Sequence, residues 1–172
     1  MSAPTEEISL TPIHVSELPL VSEMAAQIWP SVYSSIISSD QISFMLDWMY
    51  SPETMQQEIS REGIVYHWIT LQERPIGFLA VGPILPDTAS MLHKCYILSE
   101  EQGNGHGTTA LNKLSDQLRE ADVTTLRLRV NRKNQPAIHF YQRYGFETES
   151  EDLLDIGHGF VMDDYIMALT LS

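Results

Sequence analysis

The chain has 172 residues, 43% of them hydrophobic, which suits one globular domain with a sizeable core. Its formal net charge of −13 argues against nucleic acid as a partner, because phosphates need a basic surface. No apolar run reaches the roughly 20 residues that span a bilayer, the N-terminus lacks the bases of a signal peptide, and the single cysteine, Cys95, excludes an internal disulfide. We therefore expect one cytoplasmic domain, residues 1–172, that binds neither nucleic acid nor membrane.

The first third of the chain predicts a strand followed by helices. The strand covers residues 8–12, and a helix begins near Ser16, a suitable N-cap. An aromatic, Met-rich helix covers residues 41–50. Another begins at Ser51-Pro52, with serine as the cap and proline in the first turn, and ends at Gly63.

The remaining two thirds predict a meander of three strands and then a helix, a strand, a short helix and two closing strands. The meander covers residues 64–71, 75–85 and 91–98, and the last two strands cover residues 146–154 and 160–171. We write the whole order as β-αα-βββ-α-β-α-ββ. It predicts an α/β (α+β) fold with a mixed, mainly antiparallel sheet and helices on both faces.

A glycine-rich turn, residues 102–107, separates the third meander strand from an amphipathic helix. Such a turn directs several backbone N–H groups to one place, and the helix dipole makes that place attractive to phosphate. A P-loop would need a lysine after Gly107, where the chain has Thr108, and the G-x-G-x-G spacing is not the G-x-G-x-x-G of a Rossmann fold. The turn predicts a nucleotide-containing cofactor whose pyrophosphate is held by main chain.

Two motifs resemble those of one protein family. Gln102, Gly105 and Gly107 form the pattern Gln-x-x-Gly-x-Gly, and residues 134–146 contain Asn-x-x-Ala, a Phe-Tyr pair and Gly-Phe. In this order they resemble the GNAT superfamily of N-acetyltransferases. The resemblance implies a GNAT fold, acetyl-CoA as co-substrate, no metal, and transfer of the acetyl group to a primary amine by direct attack in a ternary complex.

The resemblance also implies roles for individual residues. Main-chain groups of Cys95, Tyr96 and Ile97 would contact the pantetheine chain and the thioester, with the Ile97 N–H as oxyanion donor. Asn134 would bind the pantetheine arm, and Tyr141 would be the general acid for the leaving thiolate. The residues around the pyrophosphate would be Gln102, Gly103, Asn104, Gly105, His106, Gly107 and Thr108.

The general base is left open. Some family members carry Glu on the strand after the glycine turn and its helix, where this chain has Arg129. His93 lies two and four residues before Cys95 and Ile97, which predicts that all three share one face of a strand. An imidazole with a pKa near 6.5 can accept a proton from the amine through water, so His93 is the provisional base.

The acceptor is predicted from aromatic residues and charge. Trp29 and Tyr33 fall in the region that shapes the acceptor pocket in the family. Residues 1–60 contain eight acids and residues 144–172 seven, with no Lys or Arg in either range. A field of one sign attracts cations, so we expect a cationic amine such as a polyamine.

Several alternatives stay open. The acceptor could be a peptide amine, at a protein N-terminus or on a lysine, and the protein could form a homodimer. The rival function is an acetyl-CoA-binding sensor without turnover, against which the intact Tyr141 argues.

Overall fold

A computed structural model describes residues 7–171. Its seven strands form one sheet, and their bounds are β1 Ile8–Pro12, β2 Val65–Leu71, β3 Arg74–Val81, β4 Ala89–Ile97, β5 Thr125–Asn131, β6 Glu147–Gly157 and β7 Phe160–Thr170. The order across the sheet is β1-β2-β3-β4-β5-β7-β6, and the β4–β5 pair is parallel while the others are antiparallel. The predicted mixed, mainly antiparallel sheet is confirmed.

Five α-helices connect the strands: α1 Leu18–Tyr33, α2 Ser39–Tyr50, α3 Pro52–Glu62, α4 His106–Glu120 and α5 Gln135–Tyr144. Three helices precede the meander, as the individual segments predicted, although the order written from them contained only two. Serine caps separate them, because Ser38 accepts from the Gln41 N–H at 3.1 Å and Ser51 accepts from the Thr54 N–H at 3.2 Å. Ser16 lies within a short 3₁₀ turn ahead of α1.

Helices cover both faces of the sheet, as predicted. On one face α4 packs on the sheet through side chains such as Leu111 and Leu114, which belong to one buried cluster with Leu126 and Leu128 of β5. On the other face α1–α3 bury an aromatic core that contains Trp29, Tyr50 and Phe78. Because strand side chains alternate between faces, the arginines of β5 lie on the second face.

The parallel pair of strands opens partway along its length. β4 and β5 pair from Ala89–Thr125 to Leu92–Leu128, and no pairing continues beyond these residues. The last part of β4, up to Ile97, and the end of β5, up to Asn131, therefore leave a gap in the middle of the sheet. The fold thus exposes unpaired backbone at the sheet's centre, between its two helical layers.

None of the helices found within residues 7–171 combines the length and the apolar character that crossing a membrane requires.

Candidate active site

The gap between β4 and β5 exposes main-chain groups of β4. The Leu98 N–H donates to the Ile76 carbonyl on the β3 side at 2.8 Å. Successive N–H groups of a strand point in opposite directions, so the Ile97 N–H points into the gap. The Ile97 carbonyl is held by the side-chain amide of Gln102, whose Nε2 donates to it at 3.0 Å. This hydrogen bond ties the glycine turn to the open end of β4.

The glycine turn places free N–H groups at the start of α4. Gly103 and Gly105 have φ of 84° and 79°, a left-handed conformation that glycine adopts without a steric penalty. The first helical bond of α4 runs from the Thr109 N–H to the Gly105 carbonyl at 3.1 Å, so the N–H groups just before it have no helical acceptor. A Cβ built on Gly103 or Gly105 meets no atom within 4 Å, so both glycines border open space. The turn therefore has the geometry of an anion site.

Gly107 has a different structural role from Gly103 and Gly105, because it lies at a packing contact. A Cβ at this position would lie 3.2 Å from the Phe140 ring of α5 and 3.7 Å from Cδ1 of Ile97. The missing side chain lets α4 and α5 approach each other. Beyond the turn, these helices border a groove of about 550 Å³ whose lining includes Thr108, Arg119 and Arg143.

Tyr141 reaches the gap from α5. Its ring packs against Phe140 and Phe146 at centroid distances of 5.3 and 5.4 Å, and its hydroxyl lies beside the Cys95 thiol. Burial, with a smaller effect of Cys95, raises the pKa of Tyr141 well above its usual value. The phenol therefore stays protonated at neutral pH and can donate a proton. Burial also raises the pKa of Cys95 to about 12, which excludes an activated thiolate.

A pocket of about 450 Å³ lies on the opposite face of the gap, between the sheet and α1–α3. Trp29 and Tyr33, predicted as acceptor-binding residues, both line it. Trp29 is 1% exposed and acts mainly as packing, whereas the Tyr33 hydroxyl bonds the Tyr96 hydroxyl at 2.8 Å. The same hydroxyl lies beside Asn134, the cap residue of α5, and burial raises the pKa of Tyr33 to about 12.

His93 also lines this pocket, but the prediction that it shares a face with Cys95 and Ile97 is wrong. Val81 pairs with Leu92 and Ala80 with Lys94, so His93 is the additional residue of a β-bulge. The bulge reverses the alternation of side chains. His93 and Lys94 lie on the α3 side, near Glu58, whereas Cys95 and Ile97 pack towards α4 and α5.

The His93 ring lies over Gly82, where a built Cβ would be 2.9 Å from Nε2. Partial desolvation, with a contribution from Lys94, lowers the pKa of His93, and Glu58 and Glu62 act in the opposite direction. His93 is therefore largely neutral at neutral pH, which a proton acceptor requires.

Two charged residues in the pocket wall were not among the predicted site residues. Lys94 is 4% exposed, and its ammonium donates to Glu58 at 3.2 Å, to the Met49 carbonyl at 2.9 Å and to the Tyr66 hydroxyl. Asp164 is also 4% exposed and accepts from Nε of Arg129 at 3.1 Å. Lys94 stood out in the sequence only as a charge within an apolar strand.

Arginines neutralise much of the acidic C-terminal region. Three arginines on and after β5 form ion pairs with acids of the neighbouring strands: Arg127 with Glu149 and Asp87, Arg129 with Asp152 and Asp164, and Arg132 with Glu151 and Asp163. Five of the seven acids in residues 144–172 are therefore paired. The predicted one-sign field is weaker at this end of the chain than the count of acids implies.

No group of three or more His, Cys, Asp or Glu side chains within residues 7–171 could hold a metal ion.

The open β4–β5 pair, the glycine turn at its end and the tyrosine beside it form the candidate active site. Residues 29–146, more than half of the chain, match the model of the Acetyltransferase (GNAT) family. The chain belongs to this family, as the two sequence motifs predicted, and is an N-acetyltransferase.

Solved structures share the whole fold. The PaiA N-acetyltransferase from Thermoplasma acidophilum, in complex with coenzyme A, is 24% identical with a TM-score of 0.81, over 95% of this chain and 99% of that one. An alanine N-acetyltransferase for a ribosomal protein from Escherichia coli is 19% identical with a TM-score of 0.71, over 96% and 95%. A chimeric spermidine N-acetyltransferase from Vibrio cholerae and hSSAT is 18% identical with a TM-score of 0.72, over 95% of each chain. No curated protein matches the chain.

Proposed function

We propose that the protein transfers the acetyl group of acetyl-CoA to a primary amine by direct attack within a ternary complex. The observation that carries this proposal is the convergence of three groups on the β4–β5 gap. The Ile97 N–H points into it, the Tyr141 hydroxyl lies beside it, and the glycine turn borders its open end. The gap also has a pocket on its other face, from which an amine could approach.

The residues fit acetyl-CoA as the donor. The free N–H groups at the start of α4 suit the pyrophosphate, and the open space at Gly103 and Gly105 admits it close to the main chain. The groove between α4 and α5 continues from Thr108 towards Arg119 and Arg143, whose charge suits further phosphate. Main chain of Cys95, Tyr96 and Ile97, together with Asn134, would bind the pantetheine arm in the gap.

In this proposal the Ile97 N–H stabilises the oxyanion that forms on the thioester carbonyl. Tyr141 then protonates the departing thiolate as the carbon–sulfur bond breaks. The amine must lose its proton before it attacks. His93, predicted from the sequence, is one candidate for the proton acceptor, and a second candidate follows from the structure below.

We retain a cationic primary amine as the proposed acceptor, because the pocket wall contains Glu58, Glu62 and Asp164 against Lys94 and Arg129. Spermidine and an alanine of a ribosomal protein are the acceptors named for two proteins of similar fold. A peptide amine is therefore the second acceptor class to test.

The test is release of free CoA thiol in the presence of spermidine, tyramine, lysine, glutamate or a peptide with N-terminal alanine. We expect amine-dependent thiol release, fastest with a cation and slowest with glutamate. Acetyl-CoA should also raise the melting temperature, while ATP and NAD should not. Binding of acetyl-CoA without thiol release for any amine would support a sensor instead.

A further inference from the structure

Asp164 is a buried carboxylate with one oxygen still available. Its Oδ2 accepts from Arg129 at 3.1 Å, and no hydrogen bond to Oδ1 forms among residues 7–171. Asp164 lines the 450 Å³ pocket on the amine side of the gap. Since buried polar atoms in proteins normally have at least one hydrogen-bond partner, the free oxygen suits a donor supplied by a ligand.

The other carboxylates in the pocket wall are less suitable. Both oxygens of Glu58 are engaged by Lys94, at 3.2 and 3.3 Å, and Oε2 also accepts from the Tyr66 hydroxyl at 2.7 Å. Glu62 is solvent-exposed at the C-terminal end of α3. Asp164 is thus the carboxylate of this pocket that combines burial with a free oxygen.

Strand register places Asp164 near the reacting atoms. Leu92 and Leu128 are the last paired residues of β4 and β5. Three residues further along each strand are Cys95 and Asn131, and the bulge shortens β4 by about one step. Asp164 pairs directly with Asn131, so it lies at the level where Tyr141 meets β4.

Along the direction of β4, His93 lies before the level of Asp164. It follows directly after Leu92, which puts it about two residues, or about 6 to 7 Å, below the level of Asp164 at the usual rise of a strand. Its ring also lies over Gly82, on the side of α3. Both features place the His93 imidazole at a greater distance from the level of Tyr141 than the Asp164 carboxylate.

Tyr33 links Asp164 to β4. Its hydroxyl bonds that of Tyr96 at 2.8 Å, and it is close enough to Asp164 for the carboxylate charge to raise the pKa of Tyr33 after the larger effect of burial. The Asn134 side chain also lies beside this hydroxyl. A polar cluster therefore runs across the top of the gap from β4 to β7.

We propose that Asp164 binds the ammonium group of the acceptor and takes its proton, so that Asp164 is the general base of the acetyl transfer. This inference rests on the proposed function. One N–H proton passes from the ammonium to Oδ1, the nitrogen forms a bond to the acetyl carbon, and the carbon–sulfur bond breaks. The thiolate takes the Tyr141 proton, the second proton on nitrogen restores Tyr141 through water, and Asp164 releases its proton to solvent.

The charges around Asp164 suit a base. Arg129 on β5 faces it, as do Asp152 on β6, its neighbour Asp163 on β7 and the Tyr33 hydroxyl on α1. Burial raises the pKa of Asp164, the two neighbouring acids act in the same direction, and Arg129 lowers it. The ion pair with Arg129 favours the ionised carboxylate, and a raised pKa lets it accept a proton more readily than an ordinary carboxylate does.

The test compares Asp164→Asn with Asp152→Asn, which removes the same charge from the same arginine but lies outside the pocket lining. With the panel amine that the wild type acetylates fastest, Asp164→Asn should lower kcat/KM by about 10²-fold or more and remove the acidic limb of its pH profile. Asp152→Asn should stay within about threefold. Asp164→Glu should recover part of the rate.

A second readout does not depend on turnover. Calorimetric binding of the same amine to the CoA-bound protein should weaken by roughly tenfold to a hundredfold in Asp164→Asn, because a charged hydrogen bond is lost. CoA itself should bind all variants equally, which shows that they are folded.

The outcomes separate this inference from the proposed function. A wild type that binds acetyl-CoA but acetylates no panel amine would overturn both. A wild type that turns over, with equal effects in Asp164→Asn and Asp152→Asn, would overturn the role of Asp164 alone. So would loss of the acidic limb in His93→Ala but not in Asp164→Asn, which would make His93 the base.

Discussion

At the scale of single residues, Tyr141 and Cys95 show how burial assigns a role. Both groups are desolvated in the same place, and both pKa values rise. A raised pKa disables a thiol, which acts as the thiolate, but it suits a phenol that must donate a proton. The same environment thus favours Tyr141 as an acid and excludes Cys95 as a nucleophile.

Tyr141→Phe should therefore lower turnover by about 10²-fold or more and leave acetyl-CoA affinity nearly unchanged, because the ring and its packing remain. Steady-state kinetics and calorimetry measure the two quantities. Tyr144→Phe is the matched control, since that hydroxyl bonds Asn112 at 2.8 Å and lies away from the gap. If both variants kept full turnover, water or the amine would have to protonate the thiolate.

Lys94 gives a prediction about stability. It is buried against Glu58 and lies 4.5 Å from the centroid of the Tyr50 ring. Lys94→Met should destabilise the fold by about 3 to 5 kcal/mol, because Glu58 keeps a poorly solvated charge without a partner. Urea denaturation measures this loss. Adding Glu58→Gln should restore part of it, and a double variant less stable than Lys94→Met would contradict the ion-pair explanation.

At the scale of secondary-structure elements, the sequence predicted the local features but not the pairing of strands. The glycine turn and the cap at Ser51 depend on neighbouring residues, so the sequence predicted them. The bulge at His93 depends on how β3 pairs with β4, and the position of Asp164 depends on β7 lying beside β5. Such pairings join distant parts of the chain, and no local pattern specifies them.

The glycine turn carries a prediction of its own. Gly105→Val should abolish the rise in melting temperature that acetyl-CoA causes, because a β-branched side chain would fill the open space where the phosphate approaches. It should also cost about 1 to 2 kcal/mol of stability at a positive φ.

Gly159→Val controls for this strain, since Gly159 has the same φ of 79° and open surroundings in the β6–β7 hairpin. It should lose similar stability and keep the acetyl-CoA effect, as measured by thermal shift. An unchanged acetyl-CoA effect in Gly105→Val would remove the turn from the cofactor site.

At the scale of the whole molecule, the charges act in two ways: through a long-range field of the whole chain and through short-range contacts in the pocket. The formal net charge of the chain is −13, but arginines form ion pairs with most of the acids near β6 and β7. The local field there is therefore weaker than the net charge suggests. Residues 1–60 contain eight acids and no Lys or Arg, and Glu58 among them is paired with the buried Lys94. For the proposed cationic acceptor we therefore expect the overall field to act in capture and Asp164 to act in binding at short range.

The long-range field and the short-range contact should respond differently to salt. Raising the ionic strength from about 0.01 M to about 1 M shortens the screening length from about 30 Å to about 3 Å. The overall field should then weaken, and KM for a cationic amine should rise. The contact with Asp164 is buried and barely screened, so kcat at saturating amine should change little. Kinetics at several salt concentrations measure both, and a KM for spermidine that does not respond to salt would show that the field contributes nothing to capture.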